Sequence, residues 1–335
     1  MLVQPKFWQE KKSLKSTILM PLSYIYQWMG RCRFQFKQPY KTDIPVICVG
    51  NVTLGGAGKT PIVRLIASLI RYSFSLDAHI VTRGYAGSLK VPTRVMPESD
   101  VKLVGDEAIL LSKTAPCWIG SNRRDTLIHA RKEGSSVVVM DDGFQNPSVY
   151  KDISIVVIDG PFGLGNGCVF PAGPLRESLD QALKRADAVI MIGEDKQHLF
   201  DHTTATPVFR ARIQLWAQDV APRVKRAVYA FTGIGRPEKF YNSLREAGVP
   251  IVKHRSFPDH YVFSESDIQN IFSEAEQLDL DIVTTEKDYV RLLPHHQSRV
   301  YQIRSDILIE DMQLFENFLN QKLKLIQKNK RNENI

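Results

Sequence analysis

A chain of 335 residues with 43% apolar and 24% charged side chains has the make-up of a folded protein of two domains or one large one, which excludes the weakly apolar, highly charged regime of disorder. A formal charge of +8 favours an acidic partner (nucleic acid, an anionic membrane surface or a phosphorylated substrate) without choosing among them. The cysteines, Cys32, Cys48, Cys117 and Cys168, form no CxxC pair and no zinc-spaced cluster with histidine, so a disulfide framework and a structural zinc site are excluded.

In chain order, the first element is the stretch LKSTILMPLSYIYQWMG at 14–30. It interleaves Tyr24, Tyr26 and Trp28 with aliphatic residues, and basic residues precede it. Its apolar part is shorter than the roughly 20 residues that span a bilayer, and Pro21 interrupts it. No small-residue cleavage site follows, which argues against a secretory signal. It fits a helix lying in the membrane interface, and equally a helix packed on the protein's own core. Ile44–Val49 then reads as a buried parallel strand, and a glycine-rich loop leads into a helix over Pro61–Tyr72. The spacing predicts a strand at His79–Thr82 and helices at Asp106–Lys113 and Arg124–Glu133. Further strands are expected at Ser136–Met140, Ile153–Ile158 and Ala188–Ile192. This alternation predicts βαβ units and a parallel sheet.

After Pro207 the rhythm restarts. Strands are expected at Ala227–Phe231, Pro250–Lys253 and Asp281–Thr284, with helices at Pro237–Ala247 and Ser264–Gln277; Ser264 and Asp267 supply an N-cap and an acidic first turn. A last helix near Glu310–Ile326 runs into a polar tail expected to fray. The expected division is an N-terminal segment 1–38, a nucleotide-binding domain 39–215, a smaller α/β domain 216–326 and a tail 327–335. The boundary falls near 207–225.

The sharpest chemistry lies in GNVTLGGAGKTP at 50–61. The segment Thr53, Leu54, Gly55, Gly56, Ala57 and Gly58 turns several backbone N–H groups toward one anion. Lys59 would reach the outer phosphates, and Thr60 would place its hydroxyl on Mg2+. The helix that follows points its positive end at the phosphates, and Pro61 suits its first turn. The usual first glycine of the motif is replaced by Thr53, so the signal rests on GGAGKT between a strand and a helix.

A second signal is SSVVVMDDGFQ at 135–145, a buried strand ending in Asp141 and Asp142, where a phosphate-loop protein holds its magnesium. In strand geometry the two carboxylates point to opposite sides. Asp106 in VGDE sits at a loop-to-helix junction, as a cap or as a catalyst. Asn122, Arg123 and Arg124 follow the strand-like CWIG, and arginines in such a loop could bind phosphate or be merely solvated. PAGPLRE at 171–177 holds Arg176 and Glu177 in a stiff loop, and Arg176 can neutralise a transferring phosphoryl group. His260 follows Asp259 in the proline loop FPDHY. In TTEKD at 284–288 Lys287 lies directly beside Asp288, which does not support guanine selectivity.

Taken in order, GNVTLGGAGKTP, TRGY, VGDE, DDGFQN, PAGPLRES, FTGIGRPEKF, FPDHY and TTEKDYVRL resemble the tetraacyldisaccharide 4'-kinase (lipid A 4'-kinase) family over residues 10–310. The resemblance implies a P-loop NTPase-like α/β/α domain with a second, smaller α/β/α domain, facing each other across a cleft. It implies transfer of the ATP γ-phosphate to the 4'-hydroxyl of tetraacyldisaccharide 1-phosphate, giving lipid IVA at the cytoplasmic face of the bacterial inner membrane. It further implies a peripheral or monotopic protein whose N-terminal segment meets the membrane surface. By the same resemblance Lys59 and Thr60 hold phosphate and Mg2+, Asp106 is the catalytic base and His260 its partner. Asp141, Asp142 and Glu177 are metal or active-site carboxylates, Arg176 acts at the transfer site and Arg123 contacts phosphate. A nucleotide-dependent switch or chaperone without a lipid acceptor would share the phosphate loop and the DD strand, but not PAGPLRE or the DH loop. No nucleic-acid-binding motif accompanies the positive charge.

Overall fold

The computed structural model describes residues 5–11, 13–200, 205–216, 224 and 227–333. Among these the chain forms strands β1 Val46–Asn51, β2 Ala78–Thr82, β3 Thr93–Val95, β4 Cys117–Ile119, β5 Val137–Asp141, β6 Ile153–Asp159 and β7 Ala188–Ile192. They continue as β8 Val208–Leu215, β9 Val228–Thr232, β10 Ile251–Ser256, β11 Asp281–Thr285, β12 Tyr301–Ile303 and β13 Ser305–Ile309. The principal helices are α1 Leu14–Phe36, α2 Lys59–Ser68, α3 Asp106–Ser112, α4 Arg123–Lys132, α5 Pro237–Glu246, α6 Glu265–Gln277, α7 Glu286–Tyr289 and α8 Met312–Glu333.

The large sheet has the order β13-β8-β7-β6-β1-β5-β2-β4-β3, and the small one β10-β9-β11-β12. Strands β1, β2, β5, β6 and β7 are buried along their whole length, which is why they read as unbroken apolar runs rather than alternating ones. One face of the large sheet carries α2 and α8: Ile62 and Ile66 share a core with Ile47, Phe315 and Leu319. The other face packs Leu127 and Ala130 of α4 against Val138 and Met140. The small sheet is likewise covered on both sides, by Phe240 and Leu244 of α5 and by Ile268 and Ile271 of α6. The parallel pairing expected from the alternation is present in both sheets, and so is the α/β/α layering that the resemblance implied.

Three expectations are corrected. First, the C-terminal part of the stretch assigned to the smaller domain returns to the large sheet. Strand β13 pairs antiparallel with β8, placing Ile307 opposite Ile213, and α8 then fills the large sheet's core. The alternating S-D-I-L-I of β13 is an edge-strand pattern that a search for buried parallel strands passes over. Second, the segment from 327 to 333 is helical rather than frayed. Lys330 donates to the Thr42 carbonyl at 2.7 Å and pairs with Asp152 at 3.2 Å, which ties the last turns down. Third, Pro21 does not interrupt α1; its ring lies on the exposed face, where the lost N–H bond costs least. The expected helix 61–72 holds to Ser68 and then widens into a π-type turn at Leu69–Ser73. Residues 1–4, 12, 201–204, 217–223, 225, 226, 334 and 335, which include parts of the expected N-terminal segment, domain boundary and tail, lie outside the described residues.

The re-entry of α8 carries an expected outcome. Phe315 is fully buried and meets Phe209 with ring centroids 5.0 Å apart. Phe315→Ala should cost about 3–5 kcal/mol of unfolding free energy, the range for a large buried aromatic, and should take the nucleotide-binding sheet with it. Denaturant unfolding followed by ATP protection checks this; a loss confined to the small sheet would contradict the shared core.

Candidate active site

The carboxyl ends of β1, β5 and β2 lie side by side, and the loops leaving them assemble the site, as the strand ends of open α/β sheets do. The loop after β1 turns into α2 at Gly58, whose φ of +80° is open to glycine and strained for other residues. A Cβ there would also come within 2.7 Å of Ile192 Cδ1. The PAGPLRE segment braces this loop from outside: Leu54 N–H donates to the Pro174 carbonyl at 2.7 Å, and Arg176 N–H to the Val52 carbonyl at 2.7 Å. Thr53, at the place of the usual glycine, forms a backbone bridge with Leu175, so it serves as a short sheet contact.

Lys59 extends back over the loop. Its Nζ donates to Asn51 Oδ1 at 3.1 Å and lies 3.4 Å from Asp142. Asp142 follows β5 with φ +50° and accepts from Arg176 at 3.0 Å. Burial works against its charge, but Lys59 and Arg176 outweigh burial and hold the carboxyl below the ordinary range. Asp141 turns the other way. Thr82 donates to its Oδ2 at 3.0 Å, while the buried Oδ1 has no hydrogen-bond partner in the protein. Burial, reinforced by the charges of Glu107 and Asp142 and opposed by Lys59, pushes Asp141 up to about 7. The two carboxylates therefore diverge in direction, and their surroundings push them oppositely, Asp141 up and Asp142 down.

Two candidates, Arg123 and Glu177, are engaged by other groups of the protein. Arg123 is 4% exposed and donates to the carbonyls of Gly120 and Asp141 at 3.1 and 3.4 Å, so it braces the end of the DD strand. Glu177 accepts from Gln145 at 3.0 Å and is ion-paired with Arg185, so both of its oxygens are engaged.

The second half of the site bridges the two sheets. Gly105, with φ +87°, lets the chain pass close to the Tyr85 carbonyl, which a Cβ would meet at 2.2 Å, and delivers Asp106 to the first turn of α3. Asp106 is 3% exposed; its Oδ1 accepts from the Glu107 N–H at 2.8 Å. From the small sheet, His260 in the loop after β10 reaches Oδ2 at 3.1 Å. Lys287 of α7 carries only donors and lies 3.1 Å from His260 Nε2, which assigns the ring proton to Nδ1 and makes His260 the donor to Asp106. Burial disfavours the Asp106 charge, yet the hydrogen bond from His260 and the charges of Lys287 and Arg291 hold this carboxyl far below its ordinary range.

Arg291 is the residue that sequence reasoning missed. Its Nε donates to Asp106 Oδ2 at 2.8 Å, its Nη2 also engages Asp106, and its Nη1 bonds Asp288 Oδ1 at 2.8 Å. The available signal was its place three residues after Asp288 in TTEKDYVRL, on the same side of a helical turn.

α1 turns two serines inward. Ser23 Oγ donates to the Val169 carbonyl at 2.7 Å and accepts from Ala172 N–H at 3.1 Å, and Ser16 accepts from Asn166 at 2.9 Å. Leu14, Ile18, Leu22, Tyr24, Ile25 and Trp28 face outward and are exposed. The helix is thereby fastened to PAGPLRE, the segment that braces the phosphate loop. Among the described residues no helix is long and apolar enough to cross a membrane.

Residues 15–324 match the family model LpxK, described as tetraacyldisaccharide-1-P 4'-kinase. The chain is 43% identical to the tetraacyldisaccharide 4'-kinase of Paramagnetospirillum magneticum, over 88% of this chain and 91% of that protein. It is 42% identical to that of Rhodospirillum rubrum, over 93% and 95%. Among solved structures, an "apo" form LpxK from Aquifex aeolicus in complex with ATP superposes with a TM-score of 0.75 at 25% identity, covering 92% of this chain and 99% of that one.

Proposed function

The chain belongs to the tetraacyldisaccharide 4'-kinase family, and from that premise we propose how its residues divide the work. The activity is transfer of the ATP γ-phosphate to the 4'-hydroxyl of a tetraacyldisaccharide 1-phosphate in lipid A biosynthesis, yielding lipid IVA. The observation that carries the division of roles is the meeting of two half-sites. A phosphate loop with Lys59, Asp142 and Arg176 lies on the large sheet, and His260 reaches from the small sheet to Asp106.

ATP lies with its phosphates on the loop 53–60, at the positive end of α2. Lys59 exchanges Asp142 for the outer phosphates, and Arg176 stands against the charge on the transferring group. Phosphoryl transfer asks for position and charge neutralisation rather than covalent help. Thr60, Asp141 and Asp142 are oxygen-bearing side chains of the kind that hold a divalent cation, and the buried Oδ1 of Asp141, which has no hydrogen-bond partner in the protein, fits that role. Mg2+ bound there would supply neutralisation of phosphate charge. Asp106 takes the proton of the sugar hydroxyl, and His260, donating through Nδ1, fixes the direction of the carboxylate. A carboxylate so firmly ionised is a weak base, which suits a loose transition state in which the proton moves late.

The acceptor's setting is a membrane surface, at the cytoplasmic face of the inner membrane. The inverted polarity of α1 supports this reading: serines inward, aliphatic and aromatic residues outward, Arg31 and Arg33 beside them. Replacing Ile18, Ile25 and Trp28 together by serine removes outward apolar surface and leaves Ser16 and Ser23 in place. Each buried side chain is worth about 1.5–3 kcal/mol, so co-sedimentation with anionic vesicles should fall at least about tenfold. Unchanged co-sedimentation would sink the interfacial helix.

The kinase and switch readings separate on ATP consumption. Adding tetraacyldisaccharide 1-phosphate in micelles should raise consumption severalfold above the acceptor-free rate. A slow rate indifferent to the acceptor would favour a nucleotide switch.

A further inference from the structure

We propose that Arg291 is a positioning residue for phosphoryl transfer, clamping Asp106 from the small-sheet side so that the Asp106–His260 pair forms in one orientation across the two sheets. The proposal rests on the reading of Asp106 as the proton acceptor.

The geometry is that of a fixed fork. The guanidinium is 5% exposed and places Nε and Nη2 on Asp106, with Nη1 shared between Asp288 and the Gly233 carbonyl at 3.0 Å. Its anchor is itself fully satisfied. Asp288 is 0% exposed and accepts from Thr232 at 2.6 Å and Thr285 at 2.7 Å, both at the carboxyl ends of small-sheet strands. The chain of contacts therefore runs from the rigid small sheet through Asp288 and Arg291 to Asp106 on the large body. A lysine in the same place would present one ammonium and could not serve three acceptors in a plane.

The groups facing Asp106 are charged on several sides. Arg291 and Lys287 come from the α7 segment, and His260 from the loop after β10; Glu107 is on its own helix. Lys287 is divided among His260, Glu107 at 3.6 Å and Asp259 at 3.6 Å. Arg291 is the cation that touches the carboxylate, with Asp288 as its second anion. Two consequences follow. Arg291 joins His260 and Lys287 in keeping Asp106 ionised against the cost of burial, and it occupies Oδ2 together with His260, so the lone pair left for substrate lies on Oδ1. The fork selects which oxygen works.

The test is the pH dependence of kcat in the full chain with ATP, Mg2+ and acceptor in micelles, for wild type, Arg291→Gln, Arg291→Lys and Asp106→Asn. Wild type should show no acid limb from Asp106 above about pH 5. Arg291→Gln should bring one into view above about pH 5 as burial is left less opposed, with KM for ATP within about threefold of wild type. Arg291→Lys should keep the flat profile while kcat falls by about tenfold or more. An Arg291→Gln enzyme with an unmoved profile would overturn the proposal, whatever its kcat. Where Arg291→Gln fails to fold, wild-type kcat in Arg291→Lys overturns it. Asp106→Asn separates the two ideas: full turnover there would remove the base reading itself, whereas lost turnover with an unmoved Arg291→Gln profile removes only the role of Arg291.

Discussion

Lys59→Ala should lower kcat for phosphoryl transfer by about 10²–10³-fold, the cost of removing one pre-placed charge from a transition state. The structure says why the loss falls on chemistry rather than folding. Lys59 is partly exposed, and its partners Asn51 and Asp142 keep other bonds when it goes. Asn51 still donates to the Thr53 carbonyl at 2.7 Å, and Asp142 is still held by Arg176 at 3.0 Å. Melting temperature should therefore change little. A direct check is single-turnover transfer under saturating ATP. Activity within a few-fold of wild type would remove Lys59 from the phosphates.

Asp106→Asn should lower kcat by about 10²–10⁴-fold, the range for a lost general base, with ATP affinity nearly unchanged. Here folding suffers as well. The carboxylate is one partner of a buried pair with Arg291, and breaking such a pair costs about 3 kcal/mol at the low end. The retained link from Arg291 to Asp288 limits the damage. The sign of the pH dependence follows from the direction of the shift. Asp106 is held below its ordinary value, so its stabilising contribution is complete above the unfolded value of about 4 and fades as pH falls beneath it. The stability gap between wild type and Asp106→Asn should accordingly be constant from neutral pH to about 5 and shrink in stronger acid. Kinetics normalised to folded protein separate the two effects, and intact turnover would make Asp106 a structural carboxylate.

The legible parts of the sequence were those in which local pattern and tertiary role coincide. Val137–Asp141 is apolar until it meets the site, so both the strand and its carboxylates could be read directly. Ser264 and Asp267 were legible because a capping box is a local device, and both of its hydrogen bonds are present, each at 3.1 Å. Strand β13 was not legible: its partner β8 lies far away in sequence, and an exposed edge lacks the apolar run that marks the interior. The surroundings of Arg123 were hidden for a similar reason. An arginine beginning a helix beside a DD strand looks like a phosphate contact, and only the packing shows it turned toward backbone carbonyls. Arg291 was silent because its meaning lies in a contact with Asp106, 185 positions away. His260 could be singled out by its proline loop, but its hydrogen bond to Asp106 needed the two sheets in place.

The most direct measurement uses γ-labelled ATP, Mg2+ and tetraacyldisaccharide 1-phosphate in detergent micelles, with wild type and Lys59→Ala side by side. The expected result is label on the lipid at the 4'-position with wild type, and a loss of about 10²–10³-fold with the variant. Tight ATP binding without any label on the lipid, or equal labelling by both proteins, would contradict a kinase built on this phosphate loop.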